Sequence, residues 1–180
     1  MHTGKLIKSQ SLLLVIDVQE RLMPVIHQHE AVKNTTNIMI RGAEVLKVPA
    51  IYTEQYPKGL GHTCSDIHIL EEARIMEKTT FSCMLTTSIA EAILNYQQIV
   101  ICGVEAHICV LKTVLDLVEM GKEVHVIADA VSSRTPENKY YALERMRQAG
   151  AYIESAEMIL FQWLDVAGTD EFKAISKLIK

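Results

Sequence analysis

The spacing of hydrophobic positions changes in a regular alternation along the chain. Ser11 to Asp17 (SLLLVID) is an unbroken apolar run ending on an acid, the pattern of a strand buried on both faces. From Glu30 to Lys47 the period lengthens. Val32, Thr36, Met39, Ile40, Ala43 and Leu46 recur at three- and four-residue steps, predicting a helix that Val48-Pro49 closes. Ala50 to Thr53 reads as a second strand. A polar loop with Gly59 and Gly61 runs to about Ile69, and Ile75 to Lys78 reads as a short third strand. The pattern then gives a helix over Leu85 to Asn95, a fourth strand over Gln98 to Val104, and a helix over Glu105 to Met120 closed by Gly121. A fifth strand is predicted over Glu123 to Ala128. Pro136 to Ala149 is a helix with proline in its first turn and Gly150 past its end, the asymmetry of helix termini. Ala151 to Glu154 supplies a sixth strand, and the chain from Ser155 onward is mostly helical.

Strand and helix in steady alternation predict an α/β fold: a three-layer α/β/α, Rossmann-like arrangement with a mostly parallel six-stranded sheet. No repeat, low-complexity stretch or linker divides the chain, so residues 1–180 read as a single domain. Such sheets place ligand sites beyond the carboxyl ends of their strands, which directs attention there.

Composition narrows the function classes. Hydrophobic residues at 49% and a net charge of −4 exclude a disordered chain. The mild acidity argues against nucleic acid, whose phosphates call for a basic face. No apolar run reaches the ~18 residues of a membrane span, so no membrane partner is expected. The start, MHTGKLIKSQ, is too short and polar for a secretory signal, and a soluble cytoplasmic protein is the expectation. Four cysteines, at 64, 83, 102 and 109, contain no CxxC pair, so they read as free thiols rather than as a zinc or disulfide framework. His27-x-His29 and Asp66-Ile67-His68 read as surface, and no metal site is expected. With no G-x-G-x-x-G after the first strand, neither is a nucleotide or other cofactor.

Three ionisable residues fall at or just past strand ends: Asp17, Lys78 and Cys109. Taken singly they have ordinary explanations as a cap, a solvated cation and a packing thiol. The segment Cys102-Gly103-Val104-Glu105-Ala106-His107-Ile108-Cys109 favours chemistry instead, because it puts a thiol near the start of a helix, where the dipole favours an anion. A neighbouring lysine would push the same way, and a carboxylate beside the thiol could carry its proton.

Three blocks carry a resemblance: LLLVIDVQ with Asp17, EKTTFSC with Lys78, and CGVEAHICVLKTVLDL with Cys109, followed by DAVSSR at Asp129 to Arg134. Over roughly residues 10 to 160 the chain resembles the isochorismatase-like cysteine hydrolases, which include nicotinamidases and N-carbamoylsarcosine amidases. The TEQYPKGLG segment is similar to that of the small isochorismatase-domain proteins. The resemblance implies a catalytic triad of Asp17, Lys78 and Cys109 acting on a small amide or other C–N bonded substrate through a thioester. It also implies a cis peptide between Val104 and Glu105, and an oxyanion hole from the N–H groups of Glu105 and Cys109. Gln19, Leu22, Met23, Phe81 and His107 are the expected substrate-pocket residues. Members of the family commonly assemble, so a homo-oligomer is expected, with Phe161 and Trp163 as interface candidates.

Two departures qualify the family's name. Enzymes that cleave isochorismate lack the nucleophilic cysteine, so Cys109 points away from that substrate. Nicotinamidases carry Asp-x-His after the second strand, where this chain reads Glu54-Gln55-Tyr56, which disfavours both their metal and their substrate. A thiol-based redox sensor, with Cys83 as resolving partner, and a non-catalytic interaction protein on the same fold are the alternatives.

Overall fold

A computed structural model describes residues 3–180; Met1 and His2 lie outside the described residues. Its strands are β1 (Ser11–Ile16), β2 (Ala50–Gln55), β3 (Arg74–Lys78), β4 (Gln98–Val104), β5 (Glu123–Ser132) and β6 (Tyr152–Glu154). Its helices are α1 (His29–Leu46), the short α2 (Pro57–Leu60), α3 (Thr87–Ile93), α4 (Leu111–Glu119), α5 (Pro136–Ala149), α6 (Ala156–Leu164) and α7 (Asp170–Leu178). The strands form one sheet in the order β3-β2-β1-β4-β5-β6, every neighbouring pair parallel.

Burial of alternate side chains on opposite faces explains the three layers. Along β1, Leu13 and Val15 pack with Met39 and Ile40 of α1, Leu160 of α6 and Ile175 of α7. Leu12, Leu14 and Ile16 pack on the other face with Ile89 of α3, Val114 of α4 and Met146 of α5. A strand covered on both sides has no polar face, which is why β1 is apolar throughout. The chain winds outward from β1 to β3, returns to β4, and winds outward again to β6. The strand order therefore reverses between β1 and β4, and their carboxyl ends flank the crevice where such sheets bind ligands.

Several boundaries differ from the sequence reading. β5 runs four residues past Ala128 because its register with β4 shifts: Ile101 pairs with Val126, but Gly103 pairs with Val131. The irregularity hides the strand's continuation from any period-two pattern. The helix expected from Leu85 starts at Thr87, after a 3-10 turn over Cys83–Leu85, and α4 follows a π-helical turn over Ala106–Val110. Trp163, read as an interface candidate, is 0% exposed in the core, where its Nε1–H donates to Ser11 Oγ at 3.1 Å. Phe161 is exposed on the same helix and meets Phe172 edge-on. Among the described residues no helix is long and apolar enough to cross a membrane.

Candidate active site

The crevice at the β1/β4 reversal is built from backbone outward. Asp17 follows β1 in a left-handed conformation (φ 53°), its N–H donating to Thr53 O at 3.1 Å. Across from it, Gly103 near the end of β4 has φ 114°, and a Cβ there would lie 2.0 Å from the carbonyl oxygen of Ile16. Only glycine lets the two central strands close to this distance, and that closeness brings the acid at the end of β1 beside the turn that follows β4.

Asp17 is 0% exposed, and both its carboxylate oxygens are occupied. Oδ1 accepts from Thr53 Oγ1 at 2.7 Å, and Oδ2 accepts from Lys78 Nζ at 2.7 Å. Lys78, at the end of β3 and 3% exposed, also donates to Gln55 Oε1 at 2.7 Å. The carbonyl oxygens of Phe81 and Thr80 stand at 3.3 and 3.4 Å from Nζ. Burial works against the ammonium ion, but the Asp17 charge and the Cys83 and Cys109 sulfurs outweigh it and raise its pKa. Breaking such a buried pair by removing one partner leaves an uncompensated charge and costs about 3–5 kcal/mol.

Cys109 lies in the π-helical turn. The Glu105 carbonyl there accepts from both Ile108 N–H at 3.0 Å and Val110 N–H at 3.2 Å. The peptide between Val104 and Glu105 is cis. Cys109 is 6% exposed. Burial pushes its thiol up to about 12, hydrogen bonding and charge from Asp17 add to that, and Lys78 opposes it. This corrects the expectation of a readily ionised thiol. The desolvation of a nearly sealed side chain exceeds what one lysine, already paired to a carboxylate, returns to the thiolate. Thr113 Oγ1 donates to the Cys109 carbonyl at 2.7 Å and accepts from Cys83 N–H at 3.0 Å, so the two cysteines share a backbone anchor.

The remaining expected site residues divide. Gln19 is a structural clamp rather than a pocket wall: its Oε1 accepts from Gln55 N–H at 2.7 Å, and its Nε2 donates to Gln55 O and Gly61 O. Fully buried and committed to backbone on all sides, it has no group left for substrate. Met23 is likewise a core residue on the α1 face, and half-buried Leu22 packs against that core. Phe81 is exposed, with the Lys112 ammonium 6.0 Å from its ring centre. His107 is half-buried and its Nδ1 pairs with Ser133 Oγ at 2.9 Å. The Glu105 side chain is paired with Arg134 Nε at 2.9 Å. The sequence reading missed Thr53 and Gln55. Both sit at the carboxyl end of β2, next to β1, and the strand-end rule that found Asp17 would have found them.

Among the described residues no group of three or more histidine, cysteine or acidic side chains is arranged to hold a metal. The carboxylate of buried Glu54 is taken up by Thr63 N–H and Oγ1 and by His62 Nδ1. Asp66 pairs with Lys33, and His68 with Glu44.

Residues 11–158 match the family model described as the isochorismatase domain. The secreted isochorismatase effector Isc1 of Phytophthora sojae is 45% identical over 98% of this chain and 88% of its own. The structure of MAR1 ribonuclease from Caenorhabditis elegans superposes with a TM-score of 0.93 at 37% identity, covering 97% of this chain and 92% of that one. The YcaC gene product of Escherichia coli, described as an octameric hydrolase of unknown specificity, shares the fold with a TM-score of 0.88 at 20% identity. It covers 97% of this chain and 89% of its own.

Proposed function

As the chain belongs to the isochorismatase family, we propose that it is a cysteine hydrolase that opens a small amide or other C–N bonded substrate through a thioester. The observation that carries this reading is the junction of the buried Asp17–Lys78 pair with the Cys109 thiol at the β1/β4 crevice. The desolvated thiol is held in its protonated form at neutral pH. With burial and Asp17 both disfavouring the thiolate, the proposed reaction removes the proton as the sulfur attacks. We assign that task to Asp17, whose charge and hydrogen bond act on the thiol. As Cys109 Sγ bonds to the substrate carbonyl carbon, the S–H proton passes to Asp17 and the carbonyl oxygen becomes an oxyanion. The N–H groups of Glu105 and Cys109 are the proposed donors to it; one such donor typically contributes ~100- to 1,000-fold in rate. Collapse breaks the C–N bond, and the leaving amine takes the proton from Asp17. Water then attacks the thioester, giving a proton to Asp17, which returns it to the departing sulfur. Lys78 holds Asp17 in place and stays charged throughout.

RNA fits this site less well, although the C. elegans neighbour is named a ribonuclease. A phosphodiester has no carbonyl carbon for a thiol to attack, and a net charge of −4 opposes polyanion binding. We also propose that the whole chain works as one domain, that copies of it assemble with one another, and that it works in the reducing cytoplasm, which its four free cysteines support. The test of function is a panel of small amides, carbamoyl compounds and nitrile-derived amides read by ammonia release, with single-stranded RNA as a separate arm. Ammonia release that disappears in Cys109→Ala is expected. RNA cleavage that survives Cys109→Ala, with no amide turned over, would overturn the proposal.

A further inference from the structure

Lys78 is the cation beside Asp17 and Cys109, the two groups that exchange a proton in the proposed reaction. Its Nζ faces Asp17 Oδ2 from the end of β1 and Gln55 Oε1 from the end of β2, each at 2.7 Å, and the carbonyls of Thr80 and Phe81 from the following turn. The titratable groups around it are Asp17, Cys83 and Cys109. In the proposed reaction Asp17 becomes neutral each time it takes the thiol proton, and Lys78 then loses the charge of its ion-pair partner. A buried ammonium beside a neutral carboxyl is driven to shed its own proton unless another acceptor holds it.

Gln55 is the nearest such acceptor, at 2.7 Å against 3.3 and 3.4 Å for the two carbonyls, and its amide has one orientation. Its Nε2 donates to Thr79 O at 3.0 Å, which leaves Oε1 toward Lys78. Its backbone is gripped on both sides by Gln19, with Oε1 accepting at 2.7 Å and Nε2 donating at 3.0 Å. The clamp, the amide and the lysine thus form a chain leading from the loop after β1 back to the acid that ends it. We infer that Gln55 is a positioning residue, whose oriented side-chain oxygen keeps Lys78 an ammonium ion while Asp17 carries the thiol proton. The inference rests on the hydrolase reading for its purpose, but the contact it invokes can be measured without a substrate.

The experiment follows the Lys78 ε-carbon by NMR in the full chain labelled with ε-¹³C lysine and carrying Asp17→Asn, an uncharged stand-in for the protonated acid, titrated to pH 11, with Lys78→Arg identifying the resonance. A hydrogen bond to a charged group corresponds to about one to two pH units of titration. Gln55→Met should lower the Lys78 midpoint by that amount. Gln55→Glu, which retains an oxygen acceptor, should not lower it. Gln55→Asn, one methylene short of contact, should follow Gln55→Met and serves if that variant does not fold. With a substrate in hand, the basic limb of kcat should fall by the same shift in Gln55→Met, an effect that mere loosening of the fold would not produce. An unmoved Lys78 midpoint in Gln55→Met overturns the inference, whether or not the wild type turns over amides. A shifted midpoint without amide turnover by the wild type overturns the hydrolase reading and leaves the role of Gln55 in holding the cation intact.

Discussion

Replacing Gly103 by alanine should separate β1 from β4 at the point where the crevice forms. The added Cβ would lie 2.0 Å from Ile16 O and 2.7 Å from Ile16 C and N, all backbone atoms of the central strand. Real contacts of this kind essentially never fall under 3.0 Å, so the strands must part by about 1 Å. No side chain can turn aside to relieve it. At φ 114° the alanine also occupies a region that costs about 1–3 kcal/mol. Strain and disrupted pairing together should remove about 4 kcal/mol or more, a large share of the ~5–15 kcal/mol of an ordinary domain. Gly121→Ala provides the control. Its φ of 77° carries strain, but nothing lies within 4 Å of the added Cβ, so it should lose only about 1–2 kcal/mol. Urea denaturation of both variants against wild type separates the strain from the clash. Equal losses for Gly103→Ala and Gly121→Ala would refute the close-approach argument, and with it the account of how Asp17 reaches Cys109.

Two further outcomes follow from burial. With the Cys109 thiol pushed up to about 12, its alkylation by iodoacetamide should rise about tenfold per pH unit from pH 7 to 10, and half-buried Cys64 should label faster at pH 7. Lys78→Met, which removes the cation favouring the thiolate, should slow Cys109 further, whereas a labelling plateau below pH 8 in peptide maps would contradict the burial argument. Trp163→Ala should cost about 3–5 kcal/mol in urea denaturation because the ring is sealed in the core, with Phe161→Ala costing far less. Unchanged stability in Trp163→Ala would return that residue to an interface role.

The strands that mattered most for the site were also the most legible in the sequence. β1 and β4 are covered on both faces, so their apolar runs have one reading, and the acid ending the first run stood out. Legibility failed where geometry rather than composition decides. Nothing in Gln19 or Met23 tells whether a residue near a catalytic acid faces substrate, backbone or core; the loop back to Gly61 settles it for Gln19, and packing on the α1 face for Met23. The helix-start pattern around Cys109 was visible, but the desolvation that reverses its effect on the thiol depends on how deeply the turn is covered. Trp163 reads as an aromatic near the C-terminal end of the chain. Its partner, Ser11, is 152 residues away, beyond any local pattern. Thr53 and Gln55 were legible in principle, as polar residues closing a strand beside an acidic one.

The central claim is that Cys109 becomes acylated, with Asp17 carrying the proton. The most direct measurement is acid-quenched, peptide-mapped mass spectrometry of the enzyme in turnover with an amide that releases ammonia. The account predicts the acyl group of that substrate on Cys109 in wild type, and none on Cys109 in Asp17→Asn, where the proton carrier is gone. Ammonia release that continues in Cys109→Ala, or an acyl group found on another residue, would contradict it.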